Sequence, residues 1–574
     1  MQCMDEKIIE TKQCKQCWTS FSITDKDEEF YHTFAPTIGE KKYILPHPTL
    51  CPDCRHQRRL ARRNERHLYH GTCDLSGKKI ISLYSSDKKF VVYHYPEWWS
   101  DQRDPMSYAQ DFDPNQTFFQ QFKTLLHKVP RISTYNKRTE NTEYGNNVIE
   151  DKDCYLLFVT FGNDHCYYGY TMGYCKNCVD SLRTISCQNC YECTKVQNCY
   201  ECFHCFNCQG CFSSEYLVDC FNTDSSAFCI WLRNKKYHIL NKAYSKPEYK
   251  DILEKLHHDK DFLTQTKQDF AKLKIDTPVN ANFIEQSESS SGDCLDNCKN
   301  CVHCFDTILA EDCRYCYDTA NAADNMDVYL WWAGFTNPTW AIAYECENTF
   351  NSSSMYFCSS VAFHSNNVLY SDTCHSCKDC FGCVGMRHKQ YCIFNKQYTQ
   401  EEYERLVPQI IEKMKTDGER GEFFPTTMSI FWYNETEAQT YYPLTREQTE
   451  AKWRKRYDEE KTKIPEGGQA LQTKDLPDIQ DVTDEIVNKI VICEVTWKPF
   501  KIIKQELEFY RKYHLPLPTK HPDQRHLERL ALKTPRKIFH RTCAKCGTEI
   551  MTGYAPSRAE TVYCSKCYYK EVYG

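Results

Sequence analysis

Between Cys154 and Cys229 the chain carries 14 cysteines, and all of them fall in one three-residue frame. A longer period runs inside that frame. Cys154, Cys166, Cys178, Cys190 and Cys202 are spaced by twelve residues, and so are Cys175, Cys187, Cys199 and Cys211. The other members of the frame include Leu157, Thr160, Asn163, Gly169, Ser181, Thr184, Ser214, Thr223 and Ser226; none is charged and most are small. The residues between them are rich in Asp, Glu, Lys, Asn and Tyr. Such a chain has a column of small buried side chains inside a solvated exterior, which is the pattern of a stacked repeat. In a parallel stack, equivalent residues of successive coils lie about 4.8 Å apart. One inward residue in three then gives four inward positions per twelve-residue coil, and free cysteine serves there as a small hydrophobe.

The rival reading is an array of metal knuckles. A zinc ribbon pairs two distant C-x-x-C turns, whereas Cys199, Cys202, Cys205, Cys208 and Cys211 follow one another without a break. The C-x2-C-x2-C-x3-C-P run of bacterial iron–sulfur proteins is absent. Inert ladders are therefore expected, with a metal-loaded core as the alternative. A second block repeats the design. Cys298, Cys301, Cys304, Cys313, Cys316, Cys346 and Cys358 share one frame; Cys374, Cys377, Cys380, Cys383 and Cys392 share another, shifted by one residue; Cys294 fits neither. The segment from Tyr329 to Phe335 is expected to bulge out of the stack. Both blocks end alike, with Arg233, Tyr237 and Asn241-Lys242 matching Arg387, Tyr391 and Asn395-Lys396. These segments read as caps over the open ends of the stacks.

The two ends of the chain carry a different cysteine pattern. Cys14, Cys17, Cys51 and Cys54 form one four-thiolate set by spacing, and Cys543, Cys546, Cys564 and Cys567 form another. Each C-x-x-C turn supplies two soft ligands, and two such turns complete a tetrahedral zinc site; redox C-x-x-C pairs are the alternative. The ends are also copies of one another. LPHPTLCPDCRHQRRL from Leu45 matches LPLPTKHPDQRHLERL from Leu515, and Cys73, Gly77 and Tyr84 match Cys543, Gly547 and Tyr554. Each end thus reads as a tandem pair of ribbons that has kept one metal site. The other positions hold Cys73, Ser76, His94 and Glu97 at the N-terminal end and Cys493, Thr496, His521 and Gln524 at the C-terminal end. Ser, Thr and Gln are poor zinc ligands, so two structural zinc ions are expected, with a weak three-ligand site at Cys73, His94 and Glu97 as a minor alternative.

After Cys54, Arg55, Arg58, Arg59, Arg62, Arg63 and Arg66 recur at helical spacing, and the C-terminal copy keeps Arg525, His526 and Arg529. Arginine pairs bidentately with phosphate, so this helix is a candidate nucleic-acid contact. A solvated face, or a dock for the acidic repeat, is the competing reading. Residues 489–574 hold 17 Lys and Arg against 8 Asp and Glu within a chain of net charge −6. That basic end fits a nucleic-acid-facing module. The N-terminus is polar and charged, and no run of 18 apolar residues occurs, so neither a signal peptide nor a membrane span is expected. Thiol-rich and without a leader, the chain reads as cytoplasmic.

The expected organisation is mainly β: tandem ribbons at 1–99, a helical connector at 100–140, a β-solenoid block with its cap at 141–244, a helical spacer at 245–287, a second solenoid block with cap and helix at 288–416, a linker at 417–488, and tandem ribbons again at 489–574.

The segments PEWWSDQRDPMSYAQDFD, FGCVGMRHKQYCIFNKQYTQEEY, GEFFP, CEVTWKPF, HPDQRH and CAKCG carry a resemblance that extends over nearly the whole chain. By these the protein resembles a family of large cysteine-rich, zinc-ribbon proteins of reduced-genome, candidate-phylum bacteria. The resemblance implies the architecture and brings no activity with it. It departs at Trp497, where the family pattern has Gly, and at IWLRNKKY, which replaces a run with more thiols.

No phosphate-binding glycine loop, nucleophile elbow or H-E-x-x-H is present. The sequence is therefore expected to encode a non-enzymatic zinc-binding scaffold. It would touch nucleic acid or a ribonucleoprotein through the basic helices, and protein through the solenoid faces. A metal-handling or thiol-redox protein, and a purely structural assembly protein, are the alternatives.

Overall fold

The structure is a computed structural model, and it describes residues 6–185, 194–197, 205–332, 342–453, 464 and 470–573. Cys187, Cys190, Cys193, Cys199, Cys202 and Phe335 lie outside the described residues.

The cysteine period reappears as strand register. In the first ladder Asn146, Phe158, Tyr170, Leu182 and Thr194 belong to successive parallel strands and pair at twelve-residue steps. Glu215–Val218, Ala227–Ile230 and His238–Ile239 continue with the same step. Single parallel bridges such as Lys152↔Asp164, Tyr155↔Tyr167 and Asp164↔Lys176 keep that step at other points of the coil. The second ladder is an 11-strand sheet in sequence order from Ile284–Glu285 to Lys396–Gln397.

The inward frame is dry. Cys154, Cys166, Cys175, Cys178, Cys205, Cys208, Cys211, Cys220 and Cys229 form one buried cluster with Val148, Leu157, Met172 and Leu217. Cys298 to Cys392 form another with Val328, Met355 and Val368. Their thiols are not idle. Cys304 Sγ lies 3.4 Å from the Cys313 carbonyl and 3.6 Å from that of Val302, and Cys301 repeats this with Ala310 and Lys299 at 3.5 Å each. A thiol is small enough for the narrow interior and still gives the coil's carbonyls a weak donor.

The residue before each inward position turns the chain. Asn177, Asp180 and Arg183 have φ of 54, 54 and 55°, and the pattern recurs every three residues through both ladders. Asn and Asp tolerate this left-handed region, whereas Val159 and Thr171, at 58 and 55°, are β-branched and disfavour it. Cooperative ladder bonding and the buried core hold these corners in place.

The same register explains the shifted cysteine frame. Ser353 pairs with Asn366, a step of thirteen, and Phe363 and His364 are both left-handed at 58 and 63°. The extra residue sits at that corner, between Cys358 and Cys374. The step from Asn325 to Ala343 is eighteen, a multiple of three, so it leaves the frame unchanged. The expected bulge is corrected for Tyr329–Trp332, while 333–335 lie outside the described residues. Asn325–Trp332 is a ladder strand, with Tyr329 fully buried and Trp331 opposite Thr349. Cys294 is a left-handed corner residue at 60°, one place before inward Leu295, and so stands outside the column.

Both ladders close with the same device. Asn241 Oδ1 accepts from the Ile230 N–H and Asn395 Oδ1 from the Val384 N–H, each at 2.8 Å, with both asparagines left-handed. An antiparallel return strand follows, then a helix opened by a capping box: Ser245 with Glu248 before Lys246–His258, and Thr399 with Glu402 before Gln400–Thr416. Phe118–Lys128 forms the expected amphipathic helix and stops before Pro130.

Two expectations change. Helices occupy a share of the chain close to that of strands, so the fold is mixed rather than mainly β. Nor is 417–488 simply a linker. Phe423, Phe424, Met428, Ile430 and Phe431 are buried in the largest apolar cluster, and Ala470–Gln472 pairs in parallel with Ile490–Ile492. Interspersed Gly, Pro and charges hid an aromatic strap that burial makes part of the core.

The tightest point of the second ladder is Gly292, with φ 138°; a Cβ there would stand 1.7 Å from the Cys304 carbonyl oxygen. Gly292→Ala is predicted to lower stability by about 3 kcal/mol or more. Urea unfolding monitored by circular dichroism checks this, and an unchanged midpoint would contradict the register described above.

Candidate metal centres

Four cysteine turns share one backbone geometry. Trp18, Gly77, Trp497 and Gly547 donate their N–H to the carbonyls of Cys14, Cys73, Cys493 and Cys543 at 2.9, 2.8, 3.0 and 2.9 Å. The four cysteines donate in turn to Thr19, Lys78, Lys498 and Thr548. The residue after each cysteine reaches the second arm of its module: Lys15 to Thr49, Asp74 to Val92, Glu494 to Thr519, Ala544 to Val562. The fourth residue after each cysteine is left-handed, at 64, 73, 58 and 74°. On the second arm, Cys51, His94 and His521 are helix N-caps, each followed by an early proline, and Cys564 immediately precedes the Ser565–Tyr573 helix. The chain thus holds four copies of one module.

Two copies gather four thiols. Cys14, Cys17, Cys51 and Cys54 have sulfurs within 4.8 Å of one another, and so do Cys543, Cys546, Cys564 and Cys567. Cys17 and Cys51 are 3.6 Å apart and Cys546 and Cys564 3.8 Å. The Cys54 thiol lowers Cys51 to about 5 by donating to it, and the Thr548 hydroxyl lowers Cys546 to about 6. In each group the lowered thiol has a raised partner, Cys54 beside Cys51 and Cys567 beside Cys564 and Cys546, and four sulfurs this close together suit a soft, tetrahedral divalent cation whose binding displaces their protons. These groups can hold a metal ion.

The other two copies are built differently. Cys73 Sγ lies 2.8 Å from Glu97 Oε2 and accepts from the His94 N–H at 3.2 Å. Cys493 Sγ accepts from the Thr496 N–H at 3.4 Å. Among the described residues, neither set forms a cluster of three ligand atoms within 4.8 Å, and neither do the ladder cysteines. A third cluster that the sequence reading missed, Asp153, Asp164 and His165, lies on the exterior of the first ladder, with His165 Nδ1 2.6 Å from Asp164.

The structure corrects the reading of the basic helix. From Cys54 to the end of the Pro52–Leu60 helix the residues are buried, and the arginines of the helix and the turn after it are spent inside the molecule. Arg55 Nη2 is 2.8 Å from Asp327; Arg59 reaches Glu345 at 2.7 Å and Asp327 at 3.3 Å. Arg58 bridges Glu345 at 2.9 Å and Glu422 at 2.8 Å. Arg62 meets Asp372 at 2.9 Å, Arg63 meets Glu65 at 2.7 Å and Glu347 at 3.3 Å, and Arg66 meets Asp523 at 3.1 Å. Arg59 has no exposed surface, and the largest exposure in the set is 13% for the Arg66 side chain. Helical spacing alone does not distinguish a phosphate-facing from a carboxylate-facing arginine row, and the acids that settle it lie some 270 to 460 residues away in sequence.

The C-terminal copy docks in the same way on the other ladder. Arg525 and Arg529 both meet Asp180, the latter at 3.0 Å. Asp180 and Asp327 are equivalent left-handed corners. The guanidinium of Arg55 lies 5.4 Å from the Tyr315 ring, and that of Arg525 4.7 Å from Tyr168. His56 stacks on Tyr317 at 3.6 Å, and His526 tilts against Tyr170 at 5.1 Å. The first module therefore sits on the second ladder and the third on the first ladder. The second and fourth modules open the ladders: Val92 pairs with Arg131 before the first, and Val562 with Val279 before the second.

Charge balance in this core is uneven. Burial raises Glu345, but Arg58, Arg59 and Arg55 outweigh it and leave it below the usual carboxylate range. Burial and the nearby Glu65 push Glu437 up to about 8.

Arg59→Ala would leave Asp327 with Arg55 alone and Glu345 held chiefly by Arg58, with an expected loss of about 3 kcal/mol, and Arg59→Lys should recover only part of it. Denaturation midpoints of the two variants measure this; equal midpoints for wild type and Arg59→Ala would remove the network from the fold's essentials. Glu437 gives a pH test. The unfolded carboxyl releases its proton near the ordinary value of 4.5, whereas the folded one holds it to about 8. Stability should therefore fall as pH rises through that window. Glu437→Gln should flatten the fall and be the more stable form at the alkaline end of the window, as read from melting temperatures across the range.

No family model matches the chain, and no curated protein matches it. Among solved structures, a putative acetyltransferase from Desulfovibrio desulfuricans G20 aligns over 50% of this chain and 81% of its own, at 8% identity and a TM-score of 0.09. A likeness that weak carries no argument about fold or function.

Proposed function

We propose that the protein is a non-enzymatic, zinc-binding scaffold in which two β-solenoid blocks are clamped by paired zinc ribbons. The observation that carries this reading is the place of the first thiol cluster. Cys51 and Cys54 lie at the start of the Pro52–Leu60 helix, and that helix delivers the arginines buried in the second ladder. Metal at such a point fixes a docking element rather than a reacting group. A cavity of about 510 Å³ between the first module and the second ladder is lined among others by Lys42, Tyr356, Lys378, Asp379, Tyr403 and Glu404. No described helix is long and apolar enough to cross a membrane.

Zinc is the metal of choice for closed four-thiolate sites. Protein partners fit the ladder faces that the ribbons leave open. Contact with nucleic acid, if it is part of the function, belongs elsewhere than the Pro52–Leu60 helix.

Elemental analysis of protein purified without added metal tests the proposal. Two zinc ions per chain and no iron are expected, falling to one in Cys14→Ser/Cys17→Ser. Six or more metal ions per chain would place metal in the ladders and make metal handling the leading reading.

A further inference from the structure

Two of the four modules carry a residue that the turn itself disfavours. At the left-handed corner four residues after the first cysteine, the second and fourth modules have Gly77 and Gly547, and a Cβ there would meet nothing within 4 Å. The first and third modules have Trp18 and Trp497 at the same corner, with φ of 64 and 58°. A left-handed tryptophan is disfavoured relative to glycine, because its Cβ crowds the following carbonyl. No burial offsets that cost, because Trp18 is 69% and Trp497 72% exposed. The two indoles thus stand in solvent at equivalent tips of the two modules whose helices grip the ladders.

The charge around them has one sign to spare. Lys15 and Lys12 flank Trp18, and Lys498, Lys501 and Lys504 follow Trp497. Among the described residues Lys12, Lys15, Lys498 and Lys501 make no ion pair. The nearby acids are engaged: Glu10 with His47 at 2.6 Å, and Glu494 with the Thr519 hydroxyl at 2.9 Å. Exposed aromatic faces beside unpaired cations are the elements of single-strand recognition, in which rings stack on bases and ammonium groups follow the phosphates.

We propose that Trp18 and Trp497 are base-stacking platforms for single-stranded nucleic acid, with Lys12, Lys15, Lys498 and Lys501 holding its backbone. This rests on the scaffold reading above and moves its nucleic-acid contact from the buried arginine helix to the module tips. Glycine at the corner would relieve the backbone, so a variant can lose binding while its fold improves.

The test uses the full chain and a fluorescein-labelled oligo(dT) of about 20 nucleotides, followed by anisotropy at low salt. Trp18→Gly and Trp497→Gly are each expected to weaken binding about tenfold, Trp18→Phe much less, and added salt to weaken it further. Metal content should stay unchanged and the melting temperature should stay level or rise in the glycine variants. The proposal is overturned if the wild type does not bind the oligonucleotide, if the double glycine variant binds as tightly, or if a duplex of the same length binds better. It is overturned equally if the glycine variants lose metal and stability along with binding, because the tryptophans would then be structural. Metal content is read on the same samples, so failure of the scaffold reading and failure of this one are separable.

Discussion

Two corner aspartates, Asp180 and Asp327, hold the molecule's organisation. Each lies within a ladder, fully buried, and each receives two arginines from a helix that begins at the second arm of a cysteine module. A buried carboxylate without a partner costs several kcal/mol, and so does a buried guanidinium. The docking is accordingly close to all-or-none: a helix shifted by one residue would leave both sets of charges stranded. Stacked coils are nearly alike along their length, and apolar packing alone would not choose among them. In this chain the buried ion pairs mark the coils on which the helices sit.

The exchange of modules gives that docking reach. The first module is carried by the N-terminal end and grips the second ladder, while the third comes from the C-terminal end and grips the first. Arg66, six residues past the first docking helix, meets Asp523 on the second at 3.1 Å. The aromatic strap closes over the same place, with Glu422 on Arg58 and the Met428 carbonyl 3.2 Å from Arg62. Chain ends far apart in sequence thus meet around one charged core, and neither ladder has to be held by its own neighbouring segments.

The repeat was legible in the sequence because one rule, a small residue every third position, governs every coil. The twelve-residue step reappears as strand register, and the one-residue shift of the cysteine frame was visible too, but the thirteen-residue step that causes it was not. The four-thiol groups were legible because C-x-x-C spacing is itself the ligand geometry. The destination of the arginines was not. Arg55 and Arg59 have the same spacing whether they meet phosphate or carboxylate, and their partners Asp327 and Glu345 are ordinary polar residues in a polar exterior until the coil places them. The strap was hidden for a related reason: Phe423 and Phe424 follow Gly-Glu and precede Pro, a composition read as loop, and their burial depends on the surface that the Arg-bearing helix creates.

Metal and ion pairs act in series. Cys51 caps the Pro52–Leu60 helix and Cys54 lies on its first turn, so a tetrahedral ion bound with Cys14 and Cys17 would fix the helix axis relative to the knuckle. The third module has His521 at the cap and no such cluster, yet its helix reaches Asp180 in the same pose, with Glu506 at 3.1 Å and the Tyr510 hydroxyl at 3.0 Å from Arg525. Within one chain, the same docking geometry is therefore reached once beside a four-thiol cluster and once through packing and a second buried carboxylate. Asp27, which occupies the place of Glu506 in the first module, turns instead to Arg314 of the second ladder at 2.8 Å. The acid that steadies the arginine in one copy is a ladder contact in the other, where Glu345 of the ladder lies against Arg58 and Arg59 instead.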